Sequence, residues 1–310
     1  MKTIIIVFFS LLFLYLFITF IMFILISRKT KLISTPMAKG VEKSLISYKK
    51  VMDKGQKWID EKYKKNQIKD IFIKSSDGLK LHAIFIEHTN SKGVILESHG
   101  YRSSASRDLF ASCYEYYNMG YSLLIIDNRT CGKSEGKYIT FGIKESKDII
   151  CWIKYINKNY PKQDIVLAGI SMGATSILMS LKYIKKEMNI KCAIADSGYI
   201  SAHEEVLYCI NHFFHINGKF FINMIDIWCK LFAGFSLKED DTIKSLEKSK
   251  IPILFIHGIE DDFVPTHNSK NNYQNYKGIK KLELFEKASH GISYLVDSKR
   301  YINVIKNFLK

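Results

Sequence analysis

The sequence predicts an α/β protein built on an eight-stranded, mostly parallel sheet with helices on both faces. Three observations carry this prediction: short β-branched runs begin at Ile68, helical stretches alternate with them, and a charge-free apolar segment precedes them. The chain has 310 residues, of which 47% are hydrophobic and 25% charged, a composition typical of globular proteins. This length accommodates one large α/β domain with a well-buried core, or two small domains.

The first element is an apolar segment, residues 4–26, which contains no charged side chain. As a helix it reaches about 34 Å, enough to cross the hydrocarbon core of a bilayer. A cleaved signal peptide normally has a shorter apolar core and a small-residue cleavage site, whereas this run ends directly in Ser27-Arg28-Lys29. We therefore predict that residues 1–27 form an uncleaved, single-pass transmembrane anchor, with a removed signal as the alternative.

The charge is concentrated next to this segment. The net charge is +16, and residues 1–70 hold 14 Lys and Arg against 5 Asp and Glu. No nucleic-acid-binding motif accompanies this excess, so we expect no nucleic-acid partner. More positive charge follows the apolar segment than precedes it, which places the C-terminal domain on the cytoplasmic side of the cell membrane. The opposite orientation stays open, although six cysteines without C-x-x-C spacing fit a reducing compartment.

Residues 28–67 are predicted to contain a basic juxtamembrane helix. Its apolar residues recur at three- and four-residue steps, namely Val41, Leu45, Tyr48, Met52, Ile59 and Tyr63. Lysines occupy most of the remaining surface of this helix. Two interpretations are open: the helix lies on anionic lipid headgroups, or it packs on the following domain with a solvated charged face.

Residues 68–310 are predicted to form the α/β domain. The candidate strands are 68–74, 81–87, 93–98, 121–127, 164–168, 191–196, 252–257 and 280–285, and the candidate helices are 104–119, 141–159, 172–187, 267–277 and 292–309. The first three strands are too close in sequence for intervening helices, which predicts an antiparallel start. The long aromatic interval at about 198–250 predicts a helical cap over the carboxyl edge of the sheet, or a core-packed excursion without substrate contact.

A G-x-S-x-G motif follows the fifth candidate strand as Gly169-Ile170-Ser171-Met172-Gly173. A buried strand precedes it and an apolar helical stretch follows it. A serine on a sharp strand-to-helix turn needs small neighbours, because the backbone is crowded there. We therefore predict that Ser171 is a catalytic nucleophile.

A serine nucleophile needs a base and an acid that orients the base. Asp261 lies in an acidic loop after the seventh candidate strand, and His290 follows the eighth. Both positions belong to the sheet edge that carries Ser171, so the three residues form a candidate triad. Asp262 and Asp196 are alternative acids, since one neighbours Asp261 and the other also follows a strand.

These motifs give the chain a family resemblance over residues 68–310. The chain resembles α/β-hydrolase-fold serine hydrolases, in particular bacterial membrane-anchored hydrolases of the serine aminopeptidase, acylglycerol lipase and BEM46-like groups. The resemblance depends on five segments: 98–101, 127–136, the serine motif, 257–265 and 289–291. One departure is Cys131, at a position where a histidine is common in these families. The resemblance identifies Asp261 as the acid, and it implies an oxyanion hole formed by the backbone N–H groups of Tyr101 and Met172.

The resulting prediction is a membrane-anchored serine hydrolase that cleaves a carboxylic ester, either an acyl ester or a lipid-like one. Tyr101 and the aromatic residues of the cap are candidates for lining the acyl pocket. We expect no cofactor and no metal, since the cap histidines lack a ligand pattern. One alternative is a serine peptidase of the aminopeptidase type, with Glu204, Glu205 or Asp226 binding the substrate ammonium group. Another is a catalytically silent membrane scaffold. An acyltransferase would use the same acyl-enzyme.

Overall fold

The computed structural model describes residues 1–28 and 45–310. The strands are β1 (Ile68–Lys74), β2 (Lys80–Ile86), β3 (Val94–Ser98), β4 (Ser122–Asp127), β5 (Ile165–Ile170), β6 (Ile190–Asp196), β7 (Ile253–Gly258) and β8 (Lys280–Phe285). The helices are α1 (Lys2–Ser27), α2 (Leu45–Lys64), α3 (Ala105–Asp108), α4 (Phe110–Asn118), α5 (Ile143–Asn159), α6 (Met172–Ser180), α7 (Ala202–Phe214), α8 (Lys219–Trp228), α9 (Thr242–Leu246), α10 (His267–Asn275), α11 (Ser293–Val296) and α12 (Ser298–Leu309). Short 3-10 turns cover Leu181–Tyr183 and Lys186–Met188, and a π-helical turn covers Cys229–Ala233.

The eight strands form one sheet in the order β1-β2-β4-β3-β5-β6-β7-β8. Strand β2 pairs antiparallel with β1 and β4, and all other neighbours are parallel. The central strands β3 and β5 are apolar on both faces because helices cover both sides of the sheet. One face packs against α5 and α6, and the other packs against α4 and α12. The predicted fold class is confirmed.

The antiparallel start was predicted with one error. Strand β3 does not pair with β2; it lies between β4 and β5 and is parallel to both. After β2 the chain skips the neighbouring position in the sheet and forms β3 one place further on. Strand β4 then fills the skipped position between β2 and β3. The reason is that β3 is buried on both faces, so its apolar residues require a central position in the sheet.

Helix α2 packs on the body of the protein. Ile59 is fully buried, and Trp58 makes an edge-on contact with Tyr114 of α4. A Cβ at Gly55 would lie 2.5 Å from the carbonyl oxygen of Phe110, so the two helices approach closely at this glycine. These contacts favour the packed interpretation of the basic helix over one lying on headgroups. Val41 lies outside the described residues.

The cap consists of α7, α8, the π-helical turn and α9, which fall within the predicted interval 198–250. Helix α1 packs along α8 with the second half of its length. Tyr15 donates a hydrogen bond of 2.7 Å to the carbonyl oxygen of Phe220, and Trp228 donates one of 3.0 Å to Thr19. Among the described residues, α1 is the one helix long and apolar enough to cross a membrane.

A buried ion pair fixes the loop that follows β4. The guanidinium of Arg129 is 3% exposed and donates to both oxygens of Asp148 at 2.7 Å, and it also contacts Asp77. Asp148 is buried on α5, so this pair connects the loop to the helix behind the sheet. A buried charge that loses its partner is strongly destabilising.

We expect Arg129→Leu to lower the free energy of unfolding by about 3–5 kcal/mol, because it leaves Asp148 buried without a partner. Urea unfolding followed by circular dichroism in detergent measures this change. Lys69→Ala, which removes the exposed pair with Glu87, is the matched control and should change stability by less than about 1 kcal/mol. Equal effects of the two substitutions would contradict this account.

Candidate active site

Ser171 occupies the sharp turn between β5 and α6. Its backbone has φ 55° and ψ −123°, a conformation that non-glycine residues rarely adopt. The N–H of Ser171 donates to the carbonyl oxygen of Asp196 at 2.8 Å, which ties the turn to the end of β6. The turn therefore projects the serine side chain above the carboxyl edge of the sheet.

The two glycines of the motif allow the backbone to pack this closely. A Cβ at Gly173 would lie 2.1 Å from the carbonyl oxygen of Ser98, at the end of β3. A Cβ at Gly169 would lie 2.6 Å from the backbone of Gly173 itself. No larger residue fits either position without moving β3 or α6, which explains the small neighbours that the motif requires.

Ser171, His290 and Asp261 form a continuous hydrogen-bonded chain. The Oγ of Ser171 lies 2.9 Å from Nε2 of His290, and Nδ1 of His290 lies 2.7 Å from Oδ2 of Asp261. The serine and the aspartate are buried, and the imidazole is nearly so. These distances allow proton transfer from the serine to the imidazole and orientation of the imidazole by the carboxylate.

Asp261 has further donors that the sequence did not reveal. The backbone N–H groups of Phe263 and Val264 donate to its Oδ1, and Nε2 of His257 lies 3.1 Å from its Oδ2. His257 is fully buried and also contacts Ser269 through Nδ1. The four-residue spacing between His257 and Asp261 is the signal in the sequence that could have indicated this contact.

The pKa values of Asp261 and His290 shift in opposite directions, as a carboxylate–imidazolium pair requires. Burial raises the pKa of Asp261, but the charge of His290 and hydrogen bonds from His257 and His290 outweigh it and hold that pKa well below its ordinary value. Burial lowers the pKa of His290, but the charge and hydrogen bond of Asp261 outweigh it and raise that pKa above its ordinary value. The carboxylate is therefore ionised at neutral pH and stabilises an imidazolium.

The alternative acids lie elsewhere. Asp262 is exposed, and its carbonyl oxygen accepts a hydrogen bond from Tyr208 of the cap. The carboxyl group of Asp196 is buried and accepts hydrogen bonds from Ser197 and Tyr301, each at 3.0 Å. Neither carboxylate contacts His290, so the geometry favours Asp261.

The predicted oxyanion donors adjoin the serine. Met172 is the first residue of α6, and the Gly100–Tyr101 turn passes so close that a Cβ at Gly100 would lie 3.3 Å from Cβ of Ser171. His99 braces the turn, with its Nδ1 2.8 Å from the carbonyl oxygen of Gly100. Among the described residues, the N–H groups of Tyr101 and Met172 have no hydrogen-bond acceptor.

A cavity of about 380 Å³ opens at Ser171 and His290. It extends between the sheet and helices α2, α4, α11 and α12. The lining includes Tyr101, but the described residues of the cap do not contribute to it. The expectation that cap aromatics line this pocket is therefore wrong. Side chains of α2, α4 and α11 line the cavity instead, together with Ala168 of β5.

On the cap side, the end of α1 fills the space above the Tyr101 turn. The hydroxyl of Tyr101 donates to the carbonyl oxygen of Ile26 at 2.5 Å, and Arg102 donates to the carbonyl oxygen of Arg28 at 2.7 Å. Phe23 is fully buried among apolar residues of the cap and body. The apolar segment thus ends next to the candidate oxyanion hole.

One acidic residue of the cap acts electrostatically on the triad histidine. Glu205 on α7 is 7% exposed, burial raises its pKa to about 8, and its negative charge acts on His290. Glu204 is exposed, and Asp226 is engaged by Ser236, Lys230 and the N–H of Leu237. Of the three acids considered for an ammonium site, Glu205 is the one whose charge acts on His290.

The chain is similar to known α/β hydrolases in sequence and in fold. The sequence model of the serine aminopeptidase family matches residues 89–227. An esterase of Pyrococcus furiosus superimposes with a TM-score of 0.64 at 26% identity, over 78% of this chain and 90% of the esterase. The chain has the α/β-hydrolase fold, and it is similar to serine hydrolases in sequence and in structure.

Two relatives of this hydrolase match most of its length. The uncharacterised protein YqkD of Bacillus subtilis is 25% identical over 239 residues, which are 76% of this chain and 77% of that protein. An uncharacterised membrane protein of Saccharomyces cerevisiae is 24% identical over 240 residues, again 76% and 77% of the two chains.

We expect the imidazole of His290 to titrate above its ordinary pKa of about 6.5, because the charge of Asp261 stabilises its protonated form. Asp261→Asn removes that charge and should lower the pKa of His290. An NMR pH titration of histidine-labelled protein in detergent measures both, with His290→Asn assigning the signal. Asp262→Asn is the matched control and should leave the pKa in place; an equal response to both substitutions would contradict the pairing.

Proposed function

We propose that the chain is a membrane-anchored serine hydrolase that cleaves a carboxylic ester, acyl or lipid-like, through an acyl-enzyme. The observation that carries this proposal is the hydrogen-bonded chain from Ser171 through His290 to Asp261. A serine hydroxyl is a weak nucleophile until a base removes its proton, and this arrangement provides the base and the group that orients it.

The proposed reaction has two steps. The Oγ of Ser171 attacks the acyl carbonyl carbon while Nε2 of His290 takes the hydroxyl proton. The tetrahedral intermediate collapses, and His290 returns that proton to the departing alkoxide as the ester C–O bond breaks. Water then attacks the acyl-enzyme, His290 takes its proton and passes it back to Oγ of Ser171, and the carboxylic acid leaves. Asp261 stays ionised throughout and stabilises the imidazolium.

The backbone N–H groups of Tyr101 and Met172 are the proposed oxyanion donors. Each is next to Ser171 and has no other acceptor among the described residues. Such donors act on the negative charge that develops on the carbonyl oxygen, and one of them typically contributes about 3 kcal/mol to transition-state stabilisation. Because these are main-chain groups, the side chains at both positions are free to serve other contacts.

A serine peptidase of the aminopeptidase type is the second candidate function. The observation that favours it is Glu205, a buried acid of the cap whose charge acts on His290 and which the proposed ester hydrolysis does not use. A carboxylate there would suit the ammonium group of a peptide substrate. Aminoacyl amides compared with acyl esters of the same size distinguish the two activities.

We also propose that α1 anchors the enzyme in the cell membrane as a single pass, with the hydrolase domain on the cytoplasmic side. Most apolar side chains in the first half of α1 are exposed, as lipid contact requires. The cap extends this apolar surface beside α1, with Phe220 71% and Leu231 68% exposed. The excess of basic residues after the segment supports the orientation.

The first test is labelling of Ser171 with a fluorophosphonate probe, which reacts with activated serines. We expect the wild-type protein in detergent to label and Ser171→Ala to lose both labelling and hydrolysis of p-nitrophenyl esters, by a factor of about a thousand or more. Ser106→Ala, which alters an exposed serine outside the cavity lining, is the control and should retain both. A folded wild-type protein that neither reacts with the probe nor hydrolyses the esters would contradict the hydrolase proposal and favour the catalytically silent scaffold.

Membrane topology has a separate test in a bacterial host. We expect the chain to stay with membranes after an alkaline carbonate wash, because a spanning helix is not released by charge. In intact spheroplasts, an impermeant maleimide should label Lys2→Cys and leave Lys299→Cys unlabelled. The reverse pattern would place the hydrolase domain outside, and release by carbonate would contradict a spanning anchor.

A further inference from the structure

The cavity beside Ser171 has an acidic inner wall. Glu97 of β3 and Asp196 of β6 both line it, and both are more than nine-tenths buried. Glu97 pairs in register with Ala168 of β5, and Asp196 pairs with Ile170. Side chains two residues apart share a face, so both carboxyl groups project to the side of the sheet on which the cavity lies.

These carboxyl groups have neutral partners only. Glu97 accepts from the hydroxyl of Ser112 at 3.2 Å and the thiol of Cys113 at 3.1 Å. Asp196 accepts from the hydroxyl groups of Ser197 and Tyr301. Among the described residues, no lysine, arginine or histidine forms an ion pair with either group. Burial raises the pKa of Glu97 to about 8, which is the response of an acid without a compensating charge.

A third polar group in the cavity is the hydroxyl of Tyr116. Tyr116 of α4 is 3% exposed and lines the cavity, and its hydroxyl forms no hydrogen bond to a described residue. The charges of Glu97 and Asp196 both act on this hydroxyl, so the three groups surround one space. The hydroxyl is therefore available to a polar group of a molecule bound in the cavity.

The geometry points to a cationic acyl group: we propose that the cavity binds the acyl part of the ester, and that this acyl part carries an amine which Glu97, Asp196 and Tyr116 receive. The inference rests on the proposed ester hydrolysis at Ser171. Glu97 lies opposite Ala168, which precedes Ser171 by three positions. Three positions along a strand correspond to about 10 Å between Ala168 and Ser171. An ammonium group about six bonds from the scissile carbonyl spans most of that distance.

The same wall disfavours an acyl chain that ends in a methyl group. A plain alkyl terminus would leave both carboxyl groups buried against hydrocarbon, with their hydrogen-bonding capacity unused. An ammonium group supplies three donors and a positive charge in the same space. The lipid-like part of a substrate then belongs on the alcohol side, toward α1 and the cap, whose exposed side chains include Phe13, Phe220 and Leu231.

The test compares three p-nitrophenyl esters of equal chain length: ω-aminohexanoate, ω-hydroxyhexanoate and heptanoate. At pH 7 the amine is protonated and does not attack its own ester. We expect kcat/KM for the amino ester to exceed that for heptanoate by about tenfold or more, in line with a hydrogen-bonded charge pair. The hydroxy ester should fall well below the amino ester.

Variants then assign the preference to the acidic wall. Glu97→Gln should remove most of the amino-ester preference, measured as the ratio of kcat/KM for the amino ester to kcat/KM for heptanoate. Asp196→Asn should reduce that ratio in the same direction. Glu87→Gln, an exposed acid on the far edge of the sheet, is the matched control. A circular dichroism spectrum that matches the wild type demonstrates that each variant is folded.

The outcomes separate this inference from the proposed function. Similar rates for the three esters, or a hydroxy ester as good as the amino ester, would overturn the cationic acyl group and leave ester hydrolysis intact. An amino-ester preference that survives both Glu97→Gln and Asp196→Asn would overturn the assignment to this wall. Hydrolysis of none of the three esters would overturn both proposals.

Discussion

The close approach of α6 to β3 is the constraint on which the site depends. Gly173 lies against the carbonyl oxygen of Ser98, and this contact holds the helix directly above the middle of the sheet. Ser171 therefore sits in a left-handed conformation at the carboxyl edge, where the loops after β7 and β8 deliver Asp261 and His290. The parallel order of β5 to β8 brings these loops to one edge, although 119 positions separate Ser171 from His290.

Charge is buried around this edge, and its compensation differs from group to group. Asp261 receives two backbone N–H groups and two imidazoles, so it remains ionised despite complete burial of its side chain. Glu97 receives a hydroxyl and a thiol and has a raised pKa. The fold thus holds Asp261 as a carboxylate that stabilises an imidazolium, and Glu97 as a buried acid without a compensating positive charge. The hydrogen-bond partners of each carboxyl group decide which role it can take.

The sequence predicted the fold well because periodicity and motif spacing are local signals. All eight strands lie within one or two residues of their predicted bounds. The pairing of β3 was missed because strand order depends on which strand is buried on both faces, and that is a property of the whole sheet. The cavity was assigned to the cap for a similar reason. Helix α2 lies far from Ser171 in sequence, and nothing local indicates that Met52 reaches the same cavity.

The cap side and the cavity side of Ser171 differ in polarity. This difference bears on where each product of the proposed reaction leaves the site. Phe23 and the end of α1 make the cap side apolar, while the cavity beneath α2 and α4 is acidic. An acyl-enzyme at Ser171 must hold its acyl group on one side and release the alcohol on the other. If the acyl group enters the acidic cavity, the alcohol leaves toward α1 and the membrane surface. A lipid-like alcohol would then return to the bilayer, and the polar acid would remain near the aqueous side of the enzyme.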